Sequence, residues 1–375
     1  MSSSSKNSIL YGFLFVAIFV AQQVLSFVWD PYRLVSLYWI AITVITFIVG
    51  FKLPLSKYNY TDAFKFALVC AICSIPTFLN GTSIGEVMVK MIFIFIAYIG
   101  YVMLNEKRLD LRFFDVLLVI LYIVYYIVYF SKDIGTRLFL DGDLFGHSSS
   151  NTIAITLNII LWLYFLLNYV YEAGREKRLF VFSLINLVLI VIQGSRAGII
   201  IALLLTLMIF TNIFSIRRKW VKRLLYVLVF GGAIFLVMKY LPMLEDVVDV
   251  ANMQGVSSFE EDVRSAAQAT FFLNMNLTHA LIGYESTFEF AGVTRTFNAF
   301  LDFWNTFGLI PMIFLLVAIV KRITRRKEYE LPLLYLTPIL AYSLVESLWG
   351  GTLWDIIIFI CLFWPKKSEM RWINS

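Results

Sequence analysis

The chain has 375 residues, 60% of them hydrophobic and 15% charged, with 31 Lys and Arg against 25 Asp and Glu and a formal net charge of +6. Soluble domains run at about 45–50% apolar and about 25% charged, so this composition, with a mean hydropathy of +0.82, excludes a soluble enzyme. A pI near 9.0 would suit nucleic acid, but the placement of the basic residues, taken below, excludes that partner.

The opening MSSSSKNSIL has one lysine before an apolar stretch of span length, and no A-x-A cleavage site follows. An uncleaved first span is expected rather than a signal peptide. Apolar windows predict further spans, giving in chain order roughly 9–28, 34–51, 63–79, 86–104, 114–130, 151–171, 179–193, 197–214, 222–241, 299–320, 331–347 and 352–364. The fold class is therefore all-α, a polytopic membrane protein of about twelve helices forming a single transmembrane domain over 1–375. Cys70 and Cys73 make a C-x-x-C inside the third span. No second ligand pair accompanies them, so packing is expected rather than zinc or redox chemistry.

With the N-terminus inside, 23 Lys and Arg fall in inner loops and 6 in outer loops (Arg33, Lys132, Arg137, Arg196, Arg264 and Arg295). This is a strong positive-inside asymmetry, and an even span number returns both termini to the cytoplasm. The clusters RRKWVKR (217–223) and KRITRRK (321–327) then anchor topology. Nucleic-acid binding would gather basic and aromatic residues on one soluble surface.

Arg196 stands out in VIQGSRAGIIIA (191–202), within a nearly uncharged run from Leu179 to Phe214. An arginine at the membrane centre costs about 2.5–3.5 kcal/mol on insertion scales. The run is too long for one span and fits two, with QGSR (193–196) as the turn between them. Gly194 and Ser195 are turn residues, and Gly198 permits close approach. Arg196 is thereby expected at the outer rim, where its bland role is that of a snorkelling helix-end arginine.

Two outer loops follow from this topology. The segment 131–150 (with Asn151, SKDIGTRLFLDGDLFGHSSSN) carries Asp141, Asp143 and His147 among glycines and serines. The larger, 242–298, is expected to be lid-like and partly helical. Within it SSFEEDVRSAAQATFFLNMNL (257–277) reads as a helix, with a capping box from Ser257 or Ser258 to Glu260 or Glu261. Phe259, Val263, Ala266, Thr270, Leu273 and Leu277 follow the spacing of one buried face, with Arg264 on a neighbouring face.

The unusual polar residues thus gather on the outer side. Arginine suits phosphate because its planar fork donates two parallel charge-assisted bonds. Arginines converging from several outer loops would suit a polyprenyl-diphosphate lipid, its tail between spans and its diphosphate at the rim. They could also stabilise the diphosphate as it leaves, in which case no metal is needed. The D-G-D of Asp141–Asp143 keeps a metal alternative open. No cofactor motif is read. A sugar hydroxyl as acceptor needs a base. His279 or Glu285 could serve, although His279 could equally make a structural hydrogen bond at a helix end, and His147 could simply shape its turn. Trp304, Trp349 and Trp354 could stack on sugar rings, while interfacial belts account for most aromatics.

Five stretches, in order, carry a family likeness: GHSSSN (146–151), GSRAG (194–198), Arg264 on a helix of the large outer loop, HALIGYE (279–285), and TFNAFLDFWNTFGLIP (296–311). Over about residues 130–320 the chain resembles the O-antigen polymerase and ligase superfamily of bacterial membrane glycosyltransferases. The resemblance implies transfer from an undecaprenyl-diphosphate-linked glycan at the periplasmic face of the inner membrane. It implies that Arg196 and Arg264 are the two functional arginines; His279 and Glu285, chosen for the need of a base, join them as catalytic candidates. Arg295, Asn298, His147, Asp143 and Arg137 are the expected substrate-binding residues. A chain-length-determining co-polymerase is the implied protein partner.

Departures from the family pattern refine this. Phe297 precedes Asn298 where ligase-like members carry His, and the turn of HALIGYE has Ala280 for Pro and Glu285 for the second Gly. The missing histidine favours the polymerase branch. The ligase, which joins polymer to lipid A-core, is the nearest rival. A flippase is the rival from another class; it predicts charges lining the bundle and an internal repeat, for which Lys90 is the main candidate mid-span charge and no convincing repeat is visible.

Overall fold

The computed structural model describes residues 3–21, 32–53, 60–106, 109–131, 150–193, 195–213 and 263–364, the last range apart from 286–287, 291, 293–295, 297, 330, 345, 347 and 349–351. The regular elements among the described residues are all helices. They are α1 (Ser3–Val16, continued by a wider turn Ala17–Ala21), α2 (Tyr32–Gly50), α3 (Thr61–Ser74, continued by a 3-10 turn Ile75–Asn80) and α4 (Ile84–Glu106). Next come α5 (Arg112–Ser131), α6 (Ser150–Val170), α7 (Glu176–Gln193) and α8 (Arg196–Ile213). The last group is α9 (Val263–Leu273), α10 (Leu277–Ile282), α11 (Ala299–Phe307), α12 (Leu309–Thr324), α13 (Leu333–Ser343) and α14 (Ile356–Phe363). The chain forms two compact units: residues 1–19, 36–109 and 259–375 in the first, 20–35 and 110–258 in the second.

Among the described residues, three helices are long and apolar enough to cross a membrane: Thr61–Asn80, Ile84–Glu106 and Ile153–Val170. Their predominantly apolar windows suit the hydrocarbon core, and a helix bonds its backbone groups within the segment, which is what a bilayer demands. In the first unit, Ile45 and Ile48 of α2 and Ile310, Ile313 and Val317 of α12 point outward. Such faces suit lipid rather than water. The expected span 222–241, the loop 131–150 apart from its two ends, and the first part of the loop 242–298 lie outside the described residues.

In the second unit α6, α7 and α8 pack on one another. One end of this unit is held by charge. Asp115, in the first turn of α5, accepts hydrogen bonds from Arg175 at 2.6 Å and Arg178 at 3.2 Å, and from the Tyr164 hydroxyl. Arg175 and Arg178 are thus both paired with one carboxylate.

In the first unit two expected elements take a different form. The stretch 299–320 reads as one span, but α11 and α12 are separate helices broken at Gly308. The stretch 352–364 yields a 3-10 turn, Leu353–Asp355, followed by α14 with 8 residues and therefore about 12 Å of length, too short for a hydrocarbon core of about 30 Å. Its residues Ile356–Leu362 are all buried. Arg322 of α12 is buried beside it. Its Nε donates to the Cys361 carbonyl at 3.1 Å, another guanidinium nitrogen donates to the Leu331 carbonyl, and the charge sits 3.9 Å above the Tyr329 ring. Carbonyls at a helix C-terminus carry partial negative charge and suit a cation.

The helix expected within 257–277 also departs from its expected face. From Val263 onward the buried side chains are Ala267 and Phe271, whereas Ala266, Leu273 and Leu277 are exposed. Apolar spacing identifies a face; it does not say whether protein or lipid covers it.

Candidate functional site

Two turns position the candidate residues, one in each unit. In the second unit α7 ends at Gln193 and α8 begins at Arg196, the turn read from the sequence. Ser195 caps α8: its Oγ accepts from the Gly198 amide at 3.2 Å, and its carbonyl accepts from Ile199 at 2.8 Å. Gly198 is where helices touch. A Cβ built there would stand 2.7 Å from the Ala154 Cβ of α6, so only glycine allows this approach.

The same contact is tied by amides. Asn158 of α6 donates through Nδ2 to the Gly198 carbonyl at 3.0 Å, and Asn186 of α7 donates through Nδ2 to Asn158 Oδ1 at 3.0 Å. The direction of this chain is forced. A carbonyl only accepts, so Asn158 must turn its nitrogen to Gly198 and its oxygen to Asn186. Asn186 Oδ1 ends the chain, buried and with no hydrogen-bond partner among the described residues.

In the first unit the turn HALIGYE closes α10. Asn276 caps that helix, its Oδ1 accepting from the His279 amide at 2.7 Å. The His279 ring lies on Tyr284, centroids 4.1 Å apart, and its Nδ1 is 3.1 Å from the Asn274 carbonyl. Because a carbonyl accepts only, Nδ1 carries the proton in the neutral ring, and Nε2 holds the lone pair. Tyr284 is buried against Ala267, Phe271 and Phe290. Burial pushes its phenol up, so the hydroxyl stays protonated and donates to the Phe271 carbonyl.

Gly283 and Gly308 lock this turn to the break between α11 and α12. Both have φ of +81°, a left-handed conformation that glycine adopts without penalty. A Cβ on Gly283 would stand 1.9 Å from the Asn305 carbonyl oxygen, and one on Gly308 would stand 2.2 Å from that of Leu281. Side chains complete the joint. Asn305 Oδ1 accepts from the Tyr284 amide at 2.8 Å, Trp304 Nε1 donates to the Ala280 carbonyl at 2.8 Å, and Asn80 donates to the Gly283 carbonyl. The Glu285 carboxylate is exposed beside Gly81, whose ideal Cβ position is 3.3 Å from Oε2.

His279 and Glu285 therefore stand at the two ends of one rigid turn. Asn298 has a defined structural duty. Its Oδ1 caps α11 by accepting from Phe300 at 3.0 Å and Leu301 at 3.3 Å, and its Nδ2 donates to the Leu344 carbonyl at 3.3 Å. Arg196 is the first residue of α8, and Arg264 lies in the first turn of α9. Arg137, Asp143, His147 and Arg295 lie outside the described residues. Compared with known proteins, the chain matches no family model, no curated protein and no solved structure.

Sequence reading passed over Asn158 and Asn186, and also Asn80 and Asn305. The signal was present in the first pair: an amide in the middle of an apolar helix costs free energy unless a neighbour satisfies it.

Proposed function

We propose that the chain is a membrane glycosyltransferase of the polysaccharide-polymerase kind. It transfers a growing glycan from undecaprenyl diphosphate onto the next lipid-linked repeat unit at the periplasmic face of a bacterial inner membrane. The oxygen of an acceptor sugar hydroxyl bonds to the anomeric carbon of the donor glycan. The bond from that carbon to the diphosphate oxygen breaks, undecaprenyl diphosphate leaves, and the hydroxyl proton passes to a base.

The observation that carries this reading is the contact of His279 Nδ1 with the Asn274 carbonyl, which favours the tautomer protonated there. With Nδ1 engaged by the Asn274 carbonyl and the ring stacked on Tyr284, Nε2 is presented as an acceptor of that proton. Glu285, at the other end of the turn, polarises the acceptor. Arg196 and Arg264 neutralise diphosphate charge as it develops, with Arg295 assisting. A chain-length-determining co-polymerase acts alongside the chain, and a bundle of membrane-spanning helices carries the site.

The test is a gel of surface glycan from a deletion strain complemented with wild type or Arg264→Ala. The expected result is a core capped by a single repeat in the deletion, a ladder with wild type, and no ladder with Arg264→Ala at equal membrane abundance. A normal ladder from Arg264→Ala overturns the assignment. Bare core with accumulated lipid-linked polymer would replace it with the ligase. Lipid-linked units retained in the cytoplasmic leaflet would replace it with a transporter.

A further inference from the structure

The stretch from Ser265 to Tyr284 contains no Asp, Glu, Lys or Arg. Its two helices nevertheless cannot span a membrane. α9 has 11 residues and α10 has 6, about 16 Å and 9 Å of length, against a hydrocarbon core of about 30 Å. One side of the stretch packs inward through Ala267, Phe271 and Tyr284. The other side points Phe272, Leu273, Leu277 and Leu281 away from the protein, with Leu273 83% and Leu277 78% exposed. Exposed Asn274, Asn276 and Thr278 lie among these side chains, and an apolar face of this kind marks an interaction surface.

Its neighbours say what covers it. The Leu281 carbonyl abuts Gly308, and the helix that starts there carries Ile310, Ile313 and Val317 outward along its length. On the other flank, Asn80 is bonded to the Gly283 carbonyl, and the turn it ends exposes Phe78 and Leu79, the latter 79% exposed. The patch thus runs on into the lipid-facing stripe of α12 and the end of the apolar helix Thr61–Asn80. Trp304, bonded through its indole N–H to the Ala280 carbonyl, has the apolar body and polar tip of a membrane-interface residue.

We propose that α9 and α10 form an interfacial hairpin, its outward face immersed in the acyl chains of one bilayer leaflet. The occupant of the patch is the lipid itself. A short apolar-faced helix pair lying in the interface plane gains by burying that face at the headgroup boundary. The proposal is independent of the glycosyltransferase reading. It sets the depth of the His279 turn at the level of lipid headgroups whatever reaction occurs there.

The test is site-directed spin labelling of the full chain in phospholipid vesicles, in a Cys73→Ser background, since Cys70 and Cys361 are buried. Nitroxides are placed by Leu277→Cys, by Leu281→Cys one turn further on, and by Glu289→Cys as an exposed polar control. At 277 and 281, collisions with oxygen should exceed those with a water-soluble nickel chelate severalfold, and the order should reverse at 289. If Leu277→Cys does not fold, Leu281→Cys carries the measurement. Nickel collisions at 277 and 281 equal to those at 289 would overturn the proposal in favour of a water-exposed face. Low collision rates with both reagents would overturn it in favour of a second protein surface, such as another copy of the chain.

Discussion

Around Gly198 in the second unit, the groups that fix the turn are asparagines sent in from the middle of neighbouring apolar helices. Around Gly283 in the first unit, they are caps and aromatic rings at helix ends. The difference follows from the surroundings. Inside an apolar bundle no water is at hand, so each backbone or side-chain polar group needs a protein partner. An Asn158–Asn186 chain with one forced direction is the result. At the 283 turn the ends of α10 and α11 are already short of partners, so Asn276 and Asn298 serve as N-caps, and the rings of Tyr284 and Trp304 fill the joint. The first arrangement is stiff because it is polar in an apolar place, the second because its backbone segments touch.

That contrast can be broken most severely at the backbone contact. Gly283→Val combines a left-handed φ with a Cβ placed 1.9 Å from a main-chain oxygen. It should cost about 3 kcal/mol or more, read as a drop in the thermal midpoint in detergent. A midpoint unchanged within error would show that the α11–α12 break does not meet this turn. The asparagine chain is tested next. Asn158→Leu removes the side-chain bond to the Gly198 carbonyl and leaves the Asn186 amide buried without its partner, for a loss of about 1–3 kcal/mol. Asn158→Leu combined with Asn186→Leu should recover part of that loss, because an unpaired buried amide is worse than none. Strictly additive losses in this double-mutant cycle would refute the coupling. The smallest effect belongs to the caps. Asn276→Ala should cost about 1 kcal/mol, and Asn276→Asp, which keeps an acceptor, should cost less; equal losses would mean that the cap contributes nothing.

Much of the second unit is legible in the sequence, because hydropathy marks where α6, α7 and α8 run and Gly194–Ser195 marks the turn between the last two. The first unit is less so. The sign in TFNAFLDFWNTFGLIP that its helix breaks, Gly308 followed by Pro311, is faint, since a glycine inside a span is commonplace and its φ depends on the approach of Leu281 from elsewhere in the chain. The outward face of α9 was misread for a related reason: Leu273 and Leu277 have core-like spacing but face away from the protein. Arg322 was read with its basic neighbours as a topology anchor, and only the structure separates it from the exposed Arg325 and Arg326. Within the candidate site, His279 was visible as a residue type, but its tautomer depends on Asn274, five positions earlier, and could not be read.

Buried Arg322 also bears on how the molecule is assembled. Its charge is met by the carbonyls of Leu331 and Cys361 and by the ring of Tyr329, all of which leave the ribosome after it does. Until the last of these has emerged, the guanidinium must keep its hydration, and the end of α12 cannot settle into an apolar surround. The buried setting of Arg322 is therefore complete only once α14 has been made, since the Cys361 carbonyl belongs to it.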